Sequence, residues 1–379
     1  IFTIFIIISY SFCNYCLYIF RHSCRNGSKK TVSHDTARLV KEVFIMNYHD
    51  ITPEMTIGDL VKSKVYGDFG THIFTDMTPD HWNAPLASYG FEKVGFVPTL
   101  HRMEELAATG KNYLYPLYSE EERMSEWDKE SPAFLHFPGP IAGRPYAVII
   151  PGGAFNRQWG LVEGMAIAAA LNEMGYTAFV LFYRTKQDAV VAKAIEDMYA
   201  CIRQIEARAD EFEVQAGHYM IGGFSAGATL AGEIGSTNFG WKSAGVPKPE
   251  MIFLAYTAVR MKDFYAGYTA FPAGHPVHDG AAAFLRRVAG PEITPEAVEP
   301  FDLTSHMDAS YPPVYLTANE DDHTAPFSNS LTVAETCEKL GIPHKTRFGK
   351  TGDHGFGLGI GLEVEGWLKE AVSFWEEVR

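Results

Sequence analysis

The sequence is short of cysteine and of positive charge, and it has no run of Lys and Arg long enough to form a polybasic arm. Its 379 residues include 46 Asp and Glu against 32 Lys and Arg, which gives a formal net charge of −14. Nucleic-acid binders need a basic surface that displaces counterions, so DNA and RNA are not expected as partners. With 46% hydrophobic and 21% charged residues, the composition indicates a globular protein and excludes a disordered chain or a small disulfide scaffold.

The five cysteines are placed in a way that argues against a disulfide framework. Cys13, Cys16 and Cys24 lie in the first 45 residues, and the Cys13–Cys16 spacing lacks the βαβ context of a redox pair. Cys201 and Cys337 lie inside apolar helical patterns, so we expect them to be buried small hydrophobic side chains. The cysteine pattern therefore predicts a reducing, cytoplasmic compartment.

The first 45 residues differ from the rest of the chain. Residues 1–20 are almost uncharged and long enough for a membrane span or a signal sequence, but no basic region precedes them and no small-residue cleavage site is obvious. Lys41-Glu42-Val43 can be encoded by a purine-rich bacterial ribosome-binding sequence, and Met46 follows at a fitting distance. Our hypothesis is that residues 1–45 are translated upstream DNA, with an apolar leader as the alternative. If synthesis starts at Met46, no membrane association is expected.

From residue 146 onward, short apolar runs alternate with helical patterns. Continuous apolar strands between helices predict an α/β fold whose mostly parallel central sheet is covered by helices on both faces. The predicted strands are 146–150, 177–182, 218–221, 251–256, 313–317 and 344–348. The predicted helices are 161–174, 190–209, 226–234, 328–340 and 362–378.

Two stretches interrupt this alternation. Residues 46–111 form an N-terminal extension with one predicted helix at about 98–109, and we expect it to act as a lid or a dimer contact. Residues 112–379 form the predicted catalytic domain, which begins with strands at 114–119 and 133–137. Within it, the insertion 257–312 is rich in Gly, Pro, His and aromatic residues. Long insertions in compact domains are usually lids or binding loops, so a lid-like insertion is expected here.

A nucleophile motif stands at Gly223-Phe224-Ser225-Ala226-Gly227, between a predicted strand and a predicted helix. A turn this tight forces the nucleophile into a strained backbone conformation and leaves no room for side chains two residues away on either side. The hydroxyl of Ser225 is thereby presented above the sheet, at a helix N-terminus that favours developing negative charge.

Two further segments supply a base and an acid, each just past the end of a predicted strand. His354 lies in a Gly-rich loop, and Asp322 is expected to orient its ring, with Asp321 and Glu320 as the competing acids. The chain order Ser225, Asp322, His354 is that of α/β-hydrolases. The backbone N–H groups of Gly153, Ala154 and Ala226 are the predicted oxyanion hole, because the first two follow a strand in a Gly-rich loop and the third follows the nucleophile.

Other residues are candidates for lesser roles. Phe155, Trp159 and Phe224 are predicted to line the substrate pocket, although Trp159 could equally pack on the sheet. Arg184 ends a strand and is expected to pair with an acid. His275 and His278 have a spacing that zinc could use, but no Cys or acid stands at ligand spacing, so no metal site is predicted. Four insertion aromatics are expected to line a sugar-binding cleft or to pack the lid: Phe264, Tyr265, Tyr268 and Phe271.

Residues of about 112–379 resemble the esterase/lipase branch of the α/β-hydrolase family, in particular bacterial acetyl esterases and xylan-esterase-like proteins. The matching segments are 148–155, 178–184, 222–227, 312–316, the segment around Asp322 with Pro326, and 352–358. The family's spacing places the acid four residues before the proline, which selects Asp322. Ala154 stands where a third Gly is common. The resemblance implies an esterase of short acyl groups, often acetyl groups on carbohydrate.

The expected function is therefore a serine carboxylesterase that forms an acyl-enzyme and needs neither a metal nor an organic cofactor. Its expected partners are a small-molecule or oligosaccharide ester and, through the extension, a second copy in a homodimer. Two alternatives stay open. One is a small amidase or formamidase with the same triad, and the other is a non-catalytic ligand-binding homologue of the same fold.

Overall fold

Eight strands form one sheet in the computed structural model, which describes residues 49–73, 79–91 and 94–379. The predictions about residues 1–45 lie outside the described residues. The strands are β1 Leu114–Pro116, β2 Ala133–Phe137, β3 Arg144–Ile150, β4 Thr177–Phe182, β5 Val214–Phe224, β6 Met251–Ala255, β7 Val314–Asn319 and β8 His344–Gly349. Their order across the sheet is β1-β2-β4-β3-β5-β6-β7-β8. The β1–β2 and β2–β4 pairs are antiparallel, and the other five pairs are parallel.

Both faces of the sheet are buried, as the continuous apolar strands predict. Along β3, Tyr146, Val148 and Ile150 belong to one hydrophobic cluster, and Ala147 and Ile149 belong to a second. Successive side chains of a strand point to opposite faces, so these two clusters are the two sides of the sheet. The predicted parallel sheet with helices on both faces is confirmed.

Helices cover both faces of the sheet. In the described ranges the α-helices are α1 Ile57–Lys62, α2 Gly67–Gly70, α3 Pro79–Asn83, α4 Phe96–Ala108, α5 Glu120–Ser125, α6 Ala166–Glu173, α7 Val190–Ala207, α8 Ala226–Glu233, α9 Trp241–Ala244, α10 Met261–Ala270, α11 Pro276–Ala289, α12 Pro295–Val298, α13 Ser328–Leu340 and α14 Trp367–Val378. Gly160–Met165 is a π-helical segment that leads directly into α6. No helix in these ranges is long and apolar enough to cross a membrane.

The three largest differences between the expected and observed element boundaries concern β5, the predicted helix 161–174 and the closing helix. β5 begins at Val214, four residues before the predicted start, because polar and glycine residues at its exposed end hide the strand pattern. The predicted helix 161–174 is divided into the π-helical segment and α6. The closing helix begins at Trp367 after Gly366, whose φ of 86° is left-handed, so residues 362–366 lie outside the helix.

The N-terminal extension is part of the main core. Ile57, Leu60, Phe96 and Leu100 are fully buried and share a hydrophobic cluster with one face of the sheet. Asp50–Arg379 accordingly forms a single compact unit. The extension thus packs against the catalytic domain, and its predicted role as a dimer contact stays a prediction.

The insertion 257–312 is a helical structure centred on α10 and α11. Phe284 of α11 packs against Phe264 of α10 at a ring separation of 4.6 Å. The backbone N–H of Ala189, at the start of α7, donates to the carbonyl of Arg286. The insertion is therefore attached to the body of the domain through α7.

The remaining sequence expectations concern single side chains. Cys201 and Cys337 are free and buried, as predicted. Arg184 is buried and pairs with Asp197, with 2.9 Å between Nη2 and Oδ1, so the expectation that it pairs with an acid is confirmed. Its backbone N–H also donates to this carboxylate.

Glu233, the last residue of α8, is a fully buried acid, and its burial gives a testable dependence of stability on pH. Burial raises the pKa of Glu233 to about 8. The folded state therefore holds a proton that the unfolded state releases near pH 4.5, and stability falls as pH rises between these values. In wild type, we expect Glu233 to lower the free energy of unfolding by an amount on the order of 3 kcal/mol between pH 5 and pH 8. Glu233→Gln should not show this decrease, because glutamine does not titrate.

Urea unfolding midpoints at pH 5, 6, 7 and 8 measure this effect. The control is Glu338→Gln, because Glu338 is exposed on α13. Parallel stability curves for wild type and Glu233→Gln across this range would contradict the prediction.

Candidate active site

The turn between β5 and α8 places Ser225 at the carboxyl edge of the sheet. Ser225 precedes the first residue of α8 and has φ 52° and ψ −120°, a strained conformation for a residue with a side chain. Its backbone N–H donates to the carbonyl of Ala255 at the end of β6, at 3.0 Å. This bond holds the turn against the neighbouring strand while the hydroxyl faces outward.

The glycines of the motif are required by crowding around this turn. A Cβ on Gly223 would lie 2.2 Å from the carbonyl oxygen of Gly227, and one on Gly227 would lie 2.2 Å from that of Ile150. A Cβ on Gly152, in the loop after β3, would lie 2.8 Å from the Cβ of Ser225. The backbone of the loop after β3 is therefore in direct contact with the nucleophile's turn.

The structure brings Ser225, His354 and Asp322 together in a hydrogen-bonded chain. His354 Nε2 lies 2.9 Å from Ser225 Oγ, and His354 Nδ1 lies 2.7 Å from Asp322 Oδ2. The side chain of Asp322 is 1% exposed and that of His354 is 15% exposed. A buried carboxylate on one ring nitrogen fixes the tautomer in which the other nitrogen can accept the serine proton.

The acids near the histidine have separate tasks. The second carboxylate oxygen of Asp322 accepts the backbone N–H groups of Thr324 and Ala325, both at 2.8 Å. Asp321 instead accepts the backbone N–H groups of Gly352 and Asp353, at 3.1 and 2.9 Å. Asp321 therefore holds the loop that carries the histidine, while Asp322 contacts the histidine ring.

Glu320 makes neither contact. Its side chain is exposed, and its backbone N–H donates to the carbonyl of Gly349 at 2.8 Å. Of the three competing acids, only Asp322 touches the histidine ring in the described part of the chain.

Residues 151–156 form the loop after β3, which we call the oxyanion loop, and its backbone N–H groups at residues 153 and 154 point away from the interior of the loop. The carbonyl of Gly152 accepts from Trp159, and that of Gly153 accepts from Asn156 and Arg157. Because N–H and C=O point in opposite directions across a trans peptide, the N–H groups of Gly153 and Ala154 point outward. The loop needs positive φ at three successive residues, with 131° at Gly153, 54° at Ala154 and 56° at Phe155.

The third predicted donor lies in the first turn of α8. The N–H of Ala226 has no acceptor within its own helix and carries the partial positive charge of the helix N-terminus. Gly153, Ala154 and Ser225 all line one cavity, so the loop and the helix end face the same space. The arrangement can stabilise the oxyanion that forms on a carbonyl oxygen when the Ser225 hydroxyl attacks that carbonyl.

Glu163, which the sequence reasoning missed, connects this loop to the histidine. It lies in the π-helical segment, is buried, and accepts the backbone N–H of Gly152 at 2.7 Å and the hydroxyl of Tyr256 at 2.9 Å. Burial raises the pKa of Glu163, and the nearby His354 opposes that rise. The signal in the sequence was a single acid within an otherwise apolar segment.

Tyr256 extends the connection to the histidine loop. Its hydroxyl accepts the backbone N–H of Gly357 at 3.3 Å, and its ring packs edge-on against the His354 ring at 4.8 Å. Tyr256 directly follows β6, at the strand edge where active sites of this architecture form. Glu163 and Tyr256 thus join the loop after β3 to the loop that holds the histidine.

A cavity of about 760 Å³ opens above Ser225, and we call it the catalytic cleft. Its walls come from the extension, the loop after β3 with the π-helical segment, helix α11 and the loop around His354. Its lining includes Ser88, Tyr89, Val94, Arg157, Trp159, Val162, Ala283, Arg287, Phe356 and Leu362. The extension and the insertion both help to enclose the nucleophile.

The three predicted pocket residues have different positions. Trp159 lines the catalytic cleft and packs against Tyr89 at a ring separation of 5.7 Å. Phe155 is fully buried and stacks on Phe284, while Phe224 is fully buried against Phe253. The structure places Phe155 and Phe224 in the core, so it does not support the prediction that they bind substrate. Both lie beside candidate site residues in sequence, but neither is among the described residues that line the catalytic cleft.

The insertion aromatics pack within the insertion, as one of the two expectations had it. Phe264 packs on Phe284, Tyr265 on Tyr268, and Phe271 on His275. These contacts lie within and between α10, α11 and their connection, away from the described lining of the catalytic cleft.

The two histidines of the insertion have backbone partners. His275 caps α11, with Nδ1 accepting the N–H of Val277 at 3.2 Å, and His278 contacts the carbonyl of Tyr268 at 2.7 Å. Among residues 49–73, 79–91 and 94–379, no cluster of His, Cys, Asp and Glu could hold a metal ion.

Comparison with known proteins gives one family match. The family model described as BD-FAE matches residues 139–336, just over half of the chain. Endo-1,4-beta-xylanase B of Butyrivibrio fibrisolvens is 25% identical over 250 residues, which cover 65% of this chain and 38% of that protein. The chain therefore matches well under half of the length of this relative.

Two solved hydrolase structures illustrate the similarity of this chain's fold to known proteins. The acetyl ester-xyloside bifunctional hydrolase of Caldicellulosiruptor lactoaceticus has a TM-score of 0.58 at 22% identity, covering 70% of this chain and 96% of that one. Esterase B of Lactobacillus rhamnosis has a TM-score of 0.55 at 15% identity, covering 76% and 96%. These likenesses confirm the α/β-hydrolase fold.

The different contacts of the two neighbouring acids predict different effects of replacing them. Asp322→Asn removes the charge that stabilises the imidazolium, so we expect kcat to fall by a factor on the order of 10³–10⁴. Asp321→Asn weakens only the hydrogen bonds that hold the histidine loop, so it should lower kcat by a much smaller factor. Steady-state kinetics with nitrophenyl acetate measure both values, and equal losses for the two variants would contradict the assignment.

A second prediction concerns the buried connection through Glu163. Glutamine can accept only one of the two hydrogen bonds that the carboxylate accepts, so Glu163→Gln should lower kcat by about tenfold or more through misplacement of the oxyanion loop and histidine. Tyr256→Phe, which removes the contact to Gly357, should have a smaller effect in the same direction.

The measurement is kcat and KM with nitrophenyl acetate, together with the unfolding temperature of each variant. Glu173→Gln is the matched control, because Glu173 is exposed at the end of α6 and lies outside the catalytic cleft. A Glu163→Gln enzyme with unchanged kcat would show that the buried carboxylate does not position the site.

Proposed function

The chain belongs to the BD-FAE family of α/β-hydrolase esterases, and from this premise we propose that it is a serine carboxylesterase for short acyl esters. The observation that carries the proposal is the hydrogen-bonded chain from Ser225 through His354 to Asp322, at 2.9 and 2.7 Å, beneath an open cleft of about 760 Å³. Membership of the family confirms the expected class of enzyme, an ester-bond hydrolase. The triad's roles, the acyl group and the alcohol are parts of the proposal.

In the proposed acylation step, His354 Nε2 takes the proton of the Ser225 hydroxyl while Oγ attacks the ester carbonyl. The negative charge that develops on the carbonyl oxygen is stabilised by hydrogen bonds that the N–H groups of Gly153, Ala154 and Ala226 donate. When the tetrahedral intermediate collapses, the C–O bond to the alcohol breaks and His354 protonates the leaving oxygen. The products of this step are the free alcohol and an acyl group on Ser225.

Deacylation repeats these events with water as the nucleophile. His354 takes a proton from water, the hydroxide attacks the acyl carbonyl, and the proton returns to Ser225 Oγ as the acid leaves. The negative charges of Asp322 and Glu163 favour the imidazolium that forms in both steps. The buried position of Asp322 strengthens that interaction, because little water screens it.

The proposed substrate is an acetyl ester on carbohydrate. Two similar proteins support this choice: the Butyrivibrio relative is an endo-1,4-beta-xylanase, and the Caldicellulosiruptor structure is an acetyl ester-xyloside bifunctional hydrolase. The aromatic side chains of Tyr89 and Trp159 in the catalytic cleft offer flat apolar surface of the kind that sugar rings contact. A cytoplasmic location and a homodimer belong to the proposal as well.

The experiment compares wild type with Ser225→Ala on nitrophenyl acetate, butyrate and octanoate. Removing the nucleophile leaves only oxyanion and binding effects, so we expect a loss in kcat on the order of 10³ or more. Wild type should hydrolyse acetate faster than octanoate. Acetylated xylan fragments then test the natural alcohol by release of acetate.

Correct folding of Ser225→Ala is checked by its unfolding temperature, so that a lost activity can be assigned to the missing hydroxyl. Activity that persists in this variant, or wild-type protein inactive on every ester, would overturn the esterase proposal. Hydrolysis of an N-formyl amide in place of esters would instead favour the formamidase alternative.

A further inference from the structure

Two arginines face the catalytic cleft of this acidic protein. Arg157 follows the oxyanion loop, Arg287 lies in the last turns of α11, and both line the cleft together with Ser225. Both side chains are half-buried. The chain as a whole has a formal charge of −14, so two cations at one small cavity contrast with the rest of the molecule.

Neither guanidinium has a charged partner among the described residues. Arg287 makes two long contacts with neutral acceptors, 3.4 Å to the carbonyl of Ala154 and 3.3 Å to the side-chain oxygen of Asn156. Arg157 contacts only the ring of His81, with Nη1 at 3.1 and 3.2 Å from its nitrogens. Each guanidinium carries five N–H donors, so most of these donors are left for a ligand in the cleft.

The nearby carboxylates are engaged elsewhere. Asp188 pairs with Arg286 at 2.7 Å, and Asp353 accepts the backbone N–H of His323 at 3.0 Å. Glu163 is buried and accepts two hydrogen bonds from the protein. The described structure therefore gives neither arginine an ion-pair partner, and the nearest described influence is the charge of Asp188, which acts on Arg287 without contacting it.

The two cations also act on each other. Burial and the positive charge of Arg157 lower the pKa of the Arg287 guanidinium below its ordinary value, and the negative charge of Asp188 opposes only part of this change; arginine stays protonated in proteins. An anion bound beside both side chains would relieve this repulsion. Planar, forked donors fit a carboxylate through two parallel hydrogen bonds.

We propose that Arg157 and Arg287 bind a carboxylate carried by the ester substrate, so that the enzyme prefers acidic esters over neutral ones. This inference rests on the proposed esterase function and narrows its substrate class. The carboxylate can belong to the alcohol, as in an acetylated uronic acid, or to the acyl group, as in the half-ester of a dicarboxylic acid. Both present the same group to the arginines, and the experiment distinguishes the two sources.

The test uses two matched pairs of esters. For the alcohol side, an acetylated methyl glucuronoside is compared with the acetylated methyl glucoside, which lacks only the carboxylate. For the acyl side, nitrophenyl hemisuccinate is compared with nitrophenyl methyl succinate. We expect kcat/KM to be about tenfold or more higher for the acidic member of one pair, because charge-assisted hydrogen bonds are the stronger ones.

Variants then connect the preference to the two arginines. Arg157→Gln and Arg287→Gln should each lower the acidic-to-neutral ratio of kcat/KM by about tenfold. Arg157→Lys and Arg287→Lys should each retain part of the preference for the acidic ester, because lysine keeps the charge but not the forked donors. Arg286→Gln is the matched control, since this neighbouring arginine is exposed and paired with Asp188. It should leave the ratio at the wild-type value.

The outcomes separate this inference from the proposed function. Hydrolysis of nitrophenyl acetate that requires Ser225 tests the esterase activity itself, whichever ester is preferred. With that activity present, equal kcat/KM for both members of both pairs would overturn the arginine inference alone. A preference that persists in the double variant Arg157→Gln/Arg287→Gln would also overturn it. The comparison of the two ester pairs with the wild-type enzyme tests the inference even if a variant fails to fold.

Discussion

The lack of space around the turn between β5 and α8 is the constraint on which the site depends. Gly152, Gly223 and Gly227 stand where any Cβ would collide with the backbone or with Ser225 itself. This crowding brings the loop after β3 into backbone contact with the nucleophile. The proposed oxyanion donors and the serine hydroxyl therefore have a fixed relative geometry, and preorganised donors are the most effective kind.

A buried carboxylate joins the parts of the site that the strand edges alone leave separate. Burying Glu163 costs free energy, and the hydrogen bonds from Gly152 and Tyr256 offset that cost. Through these two bonds one side chain connects the oxyanion loop, the end of β6 and the histidine loop. Because the Glu163 charge also lies near His354, it favours the protonated ring on which both halves of the proposed reaction depend.

Two walls of the catalytic cleft come from parts of the chain outside the catalytic motifs. The family match ends at residue 336 and begins at 139, so it contains Ser225 and Asp322 but neither the N-terminal extension nor His354. The extension supplies Tyr89 and α11 of the insertion supplies Arg287. The central sheet thus positions the chemistry, while these added segments decide the size and charge of the space above it.

Much of the fold and the order of the triad could be read from the sequence, because both depend on local patterns. Buried strands are continuous apolar runs, the turn at Ser225 requires its glycines, and the acid and the histidine each follow a strand end. By contrast, only the tertiary structure decided that Phe155 and Phe224 face the core, that Glu163 meets Tyr256, and that Arg157 and Arg287 share a cleft. These contacts join residues far apart in the chain, and they depend on how strands and helices are oriented around the sheet, which no local pattern encodes.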